Sequence, residues 1–318
     1  MVDRAGEMEA FVRSVELGSF SAAARSLQLT PSAISKLVTR LEDRLGVRLV
    51  LRSARGLQLT PEGEAFFDRA SRIVGDIEEA ERTVSSGADQ PRGPLRVNAN
   101  IPFATHCVIP LLPAFLVRYP GVTVDLSLTD FMVDLVGERA DVAIRTGVLR
   151  DSSLKARKLI ESRRVVVAAP AYLARHGTPQ TPAELERHNC LNFNFRRSLD
   201  EWPFLETPAD GGKAVLGGKM VRTLPVTGNM KANNGETMRL LAIAGVGFAR
   251  LSRFHVGHDI AEGRLVPVLE DYNPGDVEPV HAVYIGHEHL SNRIRVFVDF
   301  LAAQLARRSE PDYLAATP

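Results

Sequence analysis

Five polar side chains, Ser32, Ser35, Lys36, Thr39 and Arg40, share one face of the segment PSAISKLVTRLEDRLG if that segment is helical. Hydroxyls, an ammonium and a guanidinium presented together are suited to hydrogen-bond base edges and phosphate oxygens. The opposite face, Ala33-Ile34, Leu37-Val38, Leu41 and Leu45, is apolar. The charge around the segment fits such a ligand. Arg25 to Arg55 holds seven basic residues against two acidic ones, a net +5, whereas Gly56 to Gln90 holds three against eight, a net −5. The whole 318-residue chain is +1. A basic block on a neutral protein can be a nucleic-acid footprint, although a solvated charged face is its ordinary meaning.

The elements that must position these residues are legible. The pentapeptide LQLTP occurs at Leu27–Pro31 and again at Leu57–Pro61. Its flanks differ, so it is a helix-start device used twice: apolar anchor, threonine cap, then proline at the first helical position. Upstream, Met8, Phe11, Val12 and Val15 form a helical face ended by Gly18, and SFSAAARSL offers a short helix capped by Ser19 or Ser21. Helix, short helix, three-residue turn and amphipathic helix make a helix-turn-helix, with Ala22 to Ala24 allowing a close crossing. VRLVLRSARGLQLT reads as strand, turn, strand: a wing with Arg52 and Arg55 at its tip, placed for phosphate or minor-groove contact. After the second LQLTP, Phe66, Ala70, Ile73, Ile77, Ala80 and Val84 repeat at four and three residues, a heptad seam that wants a partner helix.

SSGADQPRGP at Ser85–Pro94 reads as a hinge. Beyond it, LRVNA, VTVDLSL, ADVAIRTG and RRVVVAAP are strands. PLLPAFLVRYPG, ETMRLLAIAGVGFA and RIRVFVDFLAAQLA are helical, so this part is α/β. Ligands in such folds bind at the carboxyl ends of strands. An apolar fraction of 45% and a charged fraction of 24% are ordinary for a globular protein. The polar, acidic start MVDRAGEMEA is no signal peptide, and stretches such as LLAIAGVGFA are too short to span a bilayer. A cytoplasmic protein without a membrane partner is expected.

Catalytic and cofactor chemistry finds little support. G-x-S-x-G and G-x-G-x-x-G do not occur. LGGKM at Leu216–Met220 hints at a phosphate loop, but Lys213 and Met220 replace its required Gly and Ser/Thr. His287, Glu288 and His289, with His255 and His258 elsewhere, lack a matching Cys or carboxylate set, so no metal site is expected. Cys107 and Cys190 form no C-x-x-C and offer only a weak case for a redox switch.

The chain resembles the LysR-type transcriptional regulators. The resemblance rests on AFVRSVELGSFSAAARSLQLTPSAISKLVTRLEDRLGVRLVLRSARGLQLTPEG, then GPLRV, PLLPAFLVRYPGVTVDLSL, ADVAIRTG, APAYLARHGTPQTPAELERHNCLNF, AGVGFARL and GRLVPVL, and covers roughly Met8 to Leu305. It implies a winged helix-turn-helix at 1–60, a dimerising linker helix and hinge at 61–93, and an effector domain at 94–306, with a tail at 307–318. That effector domain would be α/β, two-lobed and like periplasmic binding proteins, with lobe I about 94–165 and 268–306 and lobe II about 166–267. The function implied is sequence-specific DNA binding controlled by a small molecule between the lobes. Its partners would be double-stranded promoter DNA, the effector, further copies in a dimer or tetramer, and RNA polymerase. No cofactor and no catalysis are implied.

By position, Ser32, Ser35, Lys36, Thr39 and Arg40 would read DNA, with Arg52 and Arg55 in the wing. Leu37 stands where many members have Gln, and Val50 where a Phe is usual. In the effector domain Pro102 occupies the place of a ligand-binding Ser, so Asn100 or Thr105 would supply the polar contact. Thr129, Asp130, Arg145, Thr146, Phe193, Asn194, Asn229 and Asn233, with Asn234, complete the expected set. Phe193 and Asn194 are expected at a crossover between lobes. Arg145 suits either a bidentate carboxylate or an inter-lobe salt bridge. Two other functions, a transported-solute binder and an enzyme on the same scaffold, are opposed by the N-terminal helix-turn-helix and by the missing catalytic constellation.

Overall fold

The structure, a computed structural model, describes residues 3–53, 56–85, 90–130, 140–147, 154–194, 200–206, 214–216, 219–285 and 290–308. The chain divides into two compact units, Met1–Gly93 and Pro94–Pro318.

The first unit carries helices α1 (Arg4–Glu16), α2 (Phe20–Ser26) and α3 (Pro31–Leu45), strands β1 (Val50–Ser53) and β2 (Gly56–Leu59), and the long helix α4 (Pro61–Ser85). Ser19 caps α2, accepting from the amides of Ser21 and Ala22, and Gln28 takes a left-handed φ of +55° in the turn that follows. Thr30 caps α3 through Ala33 N at 3.2 Å, with Pro31 in the first turn and Gly46 at φ +72° closing the other end. Thr60 does the same for α4: its Oγ1 accepts from Gly63 N at 2.9 Å and donates to Arg48 O at 2.7 Å. Both LQLTP segments are therefore helix starts. β1 and β2 pair antiparallel, Val50 opposite Leu59, as a wing.

Phe11, Ala23, Ile34, Val38, Leu41, Leu49 and Ala70 form one core that joins all these elements. Buried Glu42 on α3 ties the helix to the wing. Its Oε1 accepts from Leu49 N at 2.8 Å and Val50 N at 3.1 Å, and its Oε2 from Arg48 Nη1 at 2.6 Å. Burial alone would raise this carboxyl's pKa, but the two amides and Arg48 outweigh it and hold the group below its usual range.

The heptad reading of α4 needs correction at its N-terminal half. Ala70 is fully covered by the chain's own core, and the Phe66 ring lies 5.5 Å from that of Phe11. Ile73 and Ile77 stay 46% and 37% exposed. The side chains of Ala80 and Val84 lie outside the described part of the helix.

β3 (Gly93–Ala99) leads into the second unit. A continuous helical run follows: α5 (Ile101–Phe103), a π-helical turn at Ala104–Val108, a 3-10 turn at Ile109–Leu111 and α6 (Leu112–Arg118). This run has the length and apolarity of a membrane span, contrary to the sequence expectation that none is long enough. Packing accounts for part of its apolarity: Phe103, Ala104, Cys107, Val108, Leu111 and Phe115 are buried in a protein core, whereas Ile109, Leu116 and Val117 are exposed. β4 (Val122–Leu128), β5 (Val142–Thr146) and the 14-residue β6 (Lys155–Ala168) come next.

Then follow α7 (Pro170–His176), β7 (Asn192–Phe193), β8 (Glu201–Leu205), β9 (Ala214–Leu216), β10 (Lys219–Pro225), β11 (Lys231–Ala232), α8 (Gly235–Ile243), β12 (Ala249–Ser252), α9 (Arg253–Ala261) and β13 (Val266–Val268). β14 (Val277–Tyr284) and α10 (Asn292–Arg308) return to the first core. The main sheet runs β12-β6-β14-β5-β3-β4, with β13 also on β6. β6 changes core along its length: Leu159 belongs with the helical run, Val165 to Ala168 with the cores built on α7, α8 and β12. The unit thus has two lobes sharing one strand. β9 and β10 pair antiparallel, so LGGKM joins strand to strand and is not a strand-to-helix phosphate loop.

Gly63 allows α4 to start where it does, because a Cβ there would lie 1.9 Å from the Leu49 carbonyl oxygen. Gly63→Ala should destabilise the first unit by about 1–3 kcal/mol, the usual cost of overpacking. Denaturant unfolding of the purified protein checks this; unchanged stability would mean the α4 start shifts freely.

Candidate functional site

On α3, the residues facing away from the core are those singled out by chemistry. Ser32, Lys36 and Arg40 are exposed, and Ser35 and Thr39 are half-buried. Thr39 Oγ1 donates to Ser35 O at 2.9 Å, so part of its capacity is used inside the helix. Arg44 points elsewhere, to buried Glu7 of α1 at 3.0 Å. Arg52 lies on β1 with its side chain outside the described part, and Arg55 lies outside the described residues. The geometry is a polar, cationic helix face on a rigid three-helix core, beside a wing.

The second unit has a cleft of about 420 Å³ between its lobes. Asn100, Pro102, Thr129, Asp130, Arg145 and Thr146 form one wall, at the carboxyl ends of β3, β4 and β5. Phe193, Trp202, Thr223 and Asn234 stand on the other. At the floor of the cleft, β6 supplies Arg164, β12 supplies Arg250 and Ser252, and β14 supplies Glu278, with Asp276 immediately before β14. There Arg164 donates to Glu278 Oε1 at 2.6 Å, the Ser252 hydroxyl donates to the other Glu278 oxygen, and Arg250 pairs with Asp276.

On the first wall, Asp130 Oδ1 accepts from Ile101 N at 2.9 Å. Among the described residues, Asp130 Oδ2 and Asn100 Oδ1 are buried and have no hydrogen-bond partner. Burial raises the Asp130 pKa more than the Ile101 amide and Arg145 lower it. Arg145 Nη1 donates to Ile144 O at 3.0 Å, so this guanidinium is anchored at the strand end.

Four expected effector residues stand apart from the cleft. Thr105 is exposed on the π-helical turn. Asn194 is exposed, its amide donating to Ala232 O at 3.0 Å. Asn229 exchanges two 2.9 Å bonds with Asn189, and Asn233 accepts from Asn234 at 3.1 Å. Phe193 and Asn194 are not at a crossover: β7 pairs with β11 inside the second lobe. Asn234 caps α8 through Thr237 N at 2.8 Å and reaches the cleft.

Cys107 and Cys190 are buried in different cores, and burial pushes the Cys190 thiol up to about 12. His287, Glu288 and His289 lie outside the described residues. Exposed His258 pairs with Glu262. His255 does have carboxylate company, contrary to the sequence expectation: with His106 and Glu236 it forms a group with metal-ligand chemistry. Residues 106 and 236 are too distant in sequence for spacing to reveal this.

Residues 6–64 match the bacterial regulatory helix-turn-helix proteins of the lysR family, and residues 88–306 match the LysR substrate binding domain. This chain belongs to the LysR family of transcriptional regulators. The transcriptional regulator CrgA of Neisseria meningitidis serogroup C is 40% identical over 299 residues, covering 94% of this chain and 96% of that protein. The transcriptional activator AaeR of Escherichia coli K12 is 32% identical, covering 94% and 93%. A solved structure of CrgA from Neisseria meningitidis, at 39% identity, covers 94% of this chain and 98% of that one with a TM-score of 0.62. The full-length virulence activator AphB of Vibrio cholerae follows at 26% identity and 0.57.

This LysR-type regulator therefore pairs a DNA-binding helix-turn-helix with an effector-binding domain. Sequence reasoning had not singled out Trp202, Arg164, Arg250, Asp276 or Glu278. The available signal was charge at the rim of apolar strands: Arg164 precedes VVVAA and Arg250 follows GVGFA.

Because Asp130 binds its proton more tightly folded than unfolded, its contribution to stability is complete below the usual value of 3.8 and is lost as pH rises through the raised one. Asp130→Asn should melt higher than wild type at pH 7, with the gap closing as pH falls toward 3.8. Melting curves across pH check this; a constant gap would remove ionisation as the cause.

Proposed function

We propose that residues 1–60 read promoter DNA through the exposed face of α3, that 61–93 hold two copies together, and that 94–306 respond to a small amphipathic effector. The observation that carries the reading is the face of Ser32, Lys36 and Arg40, solvent-exposed on a helix whose other side is core. Arg40 and Lys36 suit guanine edges or phosphates, and Arg52 and Arg55 of the wing suit phosphates. Ile73 and Ile77 support pairing through α4, since two exposed β-branched side chains on a long helix gain from mutual burial. A tetramer of such pairs, contact with RNA polymerase and a cytoplasmic setting complete the reading.

The effector would offer hydrogen-bond donors to Asn100 Oδ1 and Asp130 Oδ2 and lay an apolar part on Phe193 and Trp202. It is bound and not turned over. Its binding shifts the population between arrangements of the lobes.

Binding to tiled duplexes from upstream of the protein's own gene, across a salt series, tests the reading. One tile should be preferred, with affinity falling steeply as salt rises. Arg40→Ala should lose about 1–3 kcal/mol on that tile and discriminate less well if it contacts a base. Unchanged affinity would take Arg40 out of the footprint. Ile73→Glu with Ile77→Glu should lower the sedimentation coefficient; an unaltered value would place the dimer contact elsewhere.

A further inference from the structure

We propose that His106, Glu236 and His255 bind a divalent transition-metal ion at the junction of the two lobes. The Nε2 atoms of both histidines lie 2.9 Å from the same oxygen, Glu236 Oε2. All three donor atoms fall within 4.8 Å of one another, and the two imidazole rings are 5.0 Å apart. Two imidazole nitrogens and one carboxylate oxygen converging on one point are a ligand set for Zn²⁺ and its neighbours, with at least one position left for water or an added ligand.

The surroundings support this use. Glu236 Oε1 is held by Arg239 Nη1 at 2.7 Å, and Arg239 is gripped by buried Asp259 at 2.6 and 3.1 Å. An oriented carboxylate is the supporting shell that metal ligands require. Asp259 also offsets the guanidinium charge that would oppose a cation.

The placement gives the ion a mechanical role. His106 sits on the π-helical turn, whose neighbours Ala104 and Cys107 belong to the first lobe's core. Glu236 opens α8, whose Met238 and Ala242 belong to the second lobe's core. His255 lies on α9 between Phe254, packed in the first core, and Val256, packed in the second. A bound ion would therefore cross-link the lobes, and His255 and Gly235 also line the cleft.

The test uses the full chain, stripped with EDTA, dialysed and titrated with Co²⁺ as a spectroscopic probe. One ion per chain should bind, with visible d–d bands and no thiolate-to-cobalt charge transfer. His106→Asn, checked for folding by circular dichroism, should weaken binding by more than the roughly 10–100-fold typical of losing a supporting partner. His258→Asn, at an exposed histidine, should bind as wild type. No binding by wild type overturns the proposal, with no need of a variant. So does a thiolate band, full binding by a folded His106→Asn protein, or loss of binding in His258→Asn.

Discussion

β6 is the strand on which the effector domain depends. Its first half pairs with β14, from Lys155 opposite Tyr284 to Arg163 opposite Val277. Its second half pairs with β12 and β13, Val167 facing both Ala249 and Pro267. One rigid element thus belongs to both lobes, and neither can be displaced without bending it. A strand buried on both faces must be apolar without alternation, which is why VVVAA reads as a continuous run. The polar part of β6 ends at Ser162, Arg163 and Arg164, just before this run. Arg164, the last of them, lies at the base of the cleft.

The charges at this base need each other. Arg250 is nearly buried, and burial pulls its pKa down, opposed by Asp276. Arg164, Glu278 and Ser252 form a second linked set from three strands. Buried pairs of this kind add little net stability, because desolvation consumes most of the Coulomb gain. What they supply is register: each guanidinium has one place where its hydrogen bonds are met. The cleft then has fixed polar groups between two apolar lobes, an arrangement in which a small ligand biases a geometry more readily than it creates one.

The DNA-binding unit was legible almost element by element, because its cues are local. Threonine caps, prolines at first turns, Gly46 and the apolar stripe of α3 all act within a few residues of where they stand. The strands and helices of the effector domain were legible for the same reason. The cleft was half legible: Asn100, Asp130 and Arg145 sit at strand ends, where the fold class directs attention. Trp202, Asp276 and Glu278 enter from segments brought in by long-range pairing, and no spacing announces them. The group of His106, Glu236 and His255 is the extreme case, three helical elements meeting across the lobe junction. Ala70 was misjudged because a heptad spacing states that a face is apolar and not which neighbour covers it.

That ambiguity in α4 has a physical consequence. The N-terminal half of the helix spends its apolar face on its own domain, through Phe66, Ala70 and Val74. Gly63 sits against the Leu49 backbone, Thr60 bridges to Arg48, and Glu42 holds the same stretch from α3. Helix α3, the wing and the start of α4 therefore move as one body. Ile73 and Ile77 lie one and two turns beyond Ala70, on the same rigid rod, and face outward. If two copies join there, the separation of their α3 helices is dictated by the length and angle of α4 and not by any flexible segment. Half-site spacing on DNA follows from that separation. A signal that reorients the pair of rods would reach the polar face of α3 without deforming it.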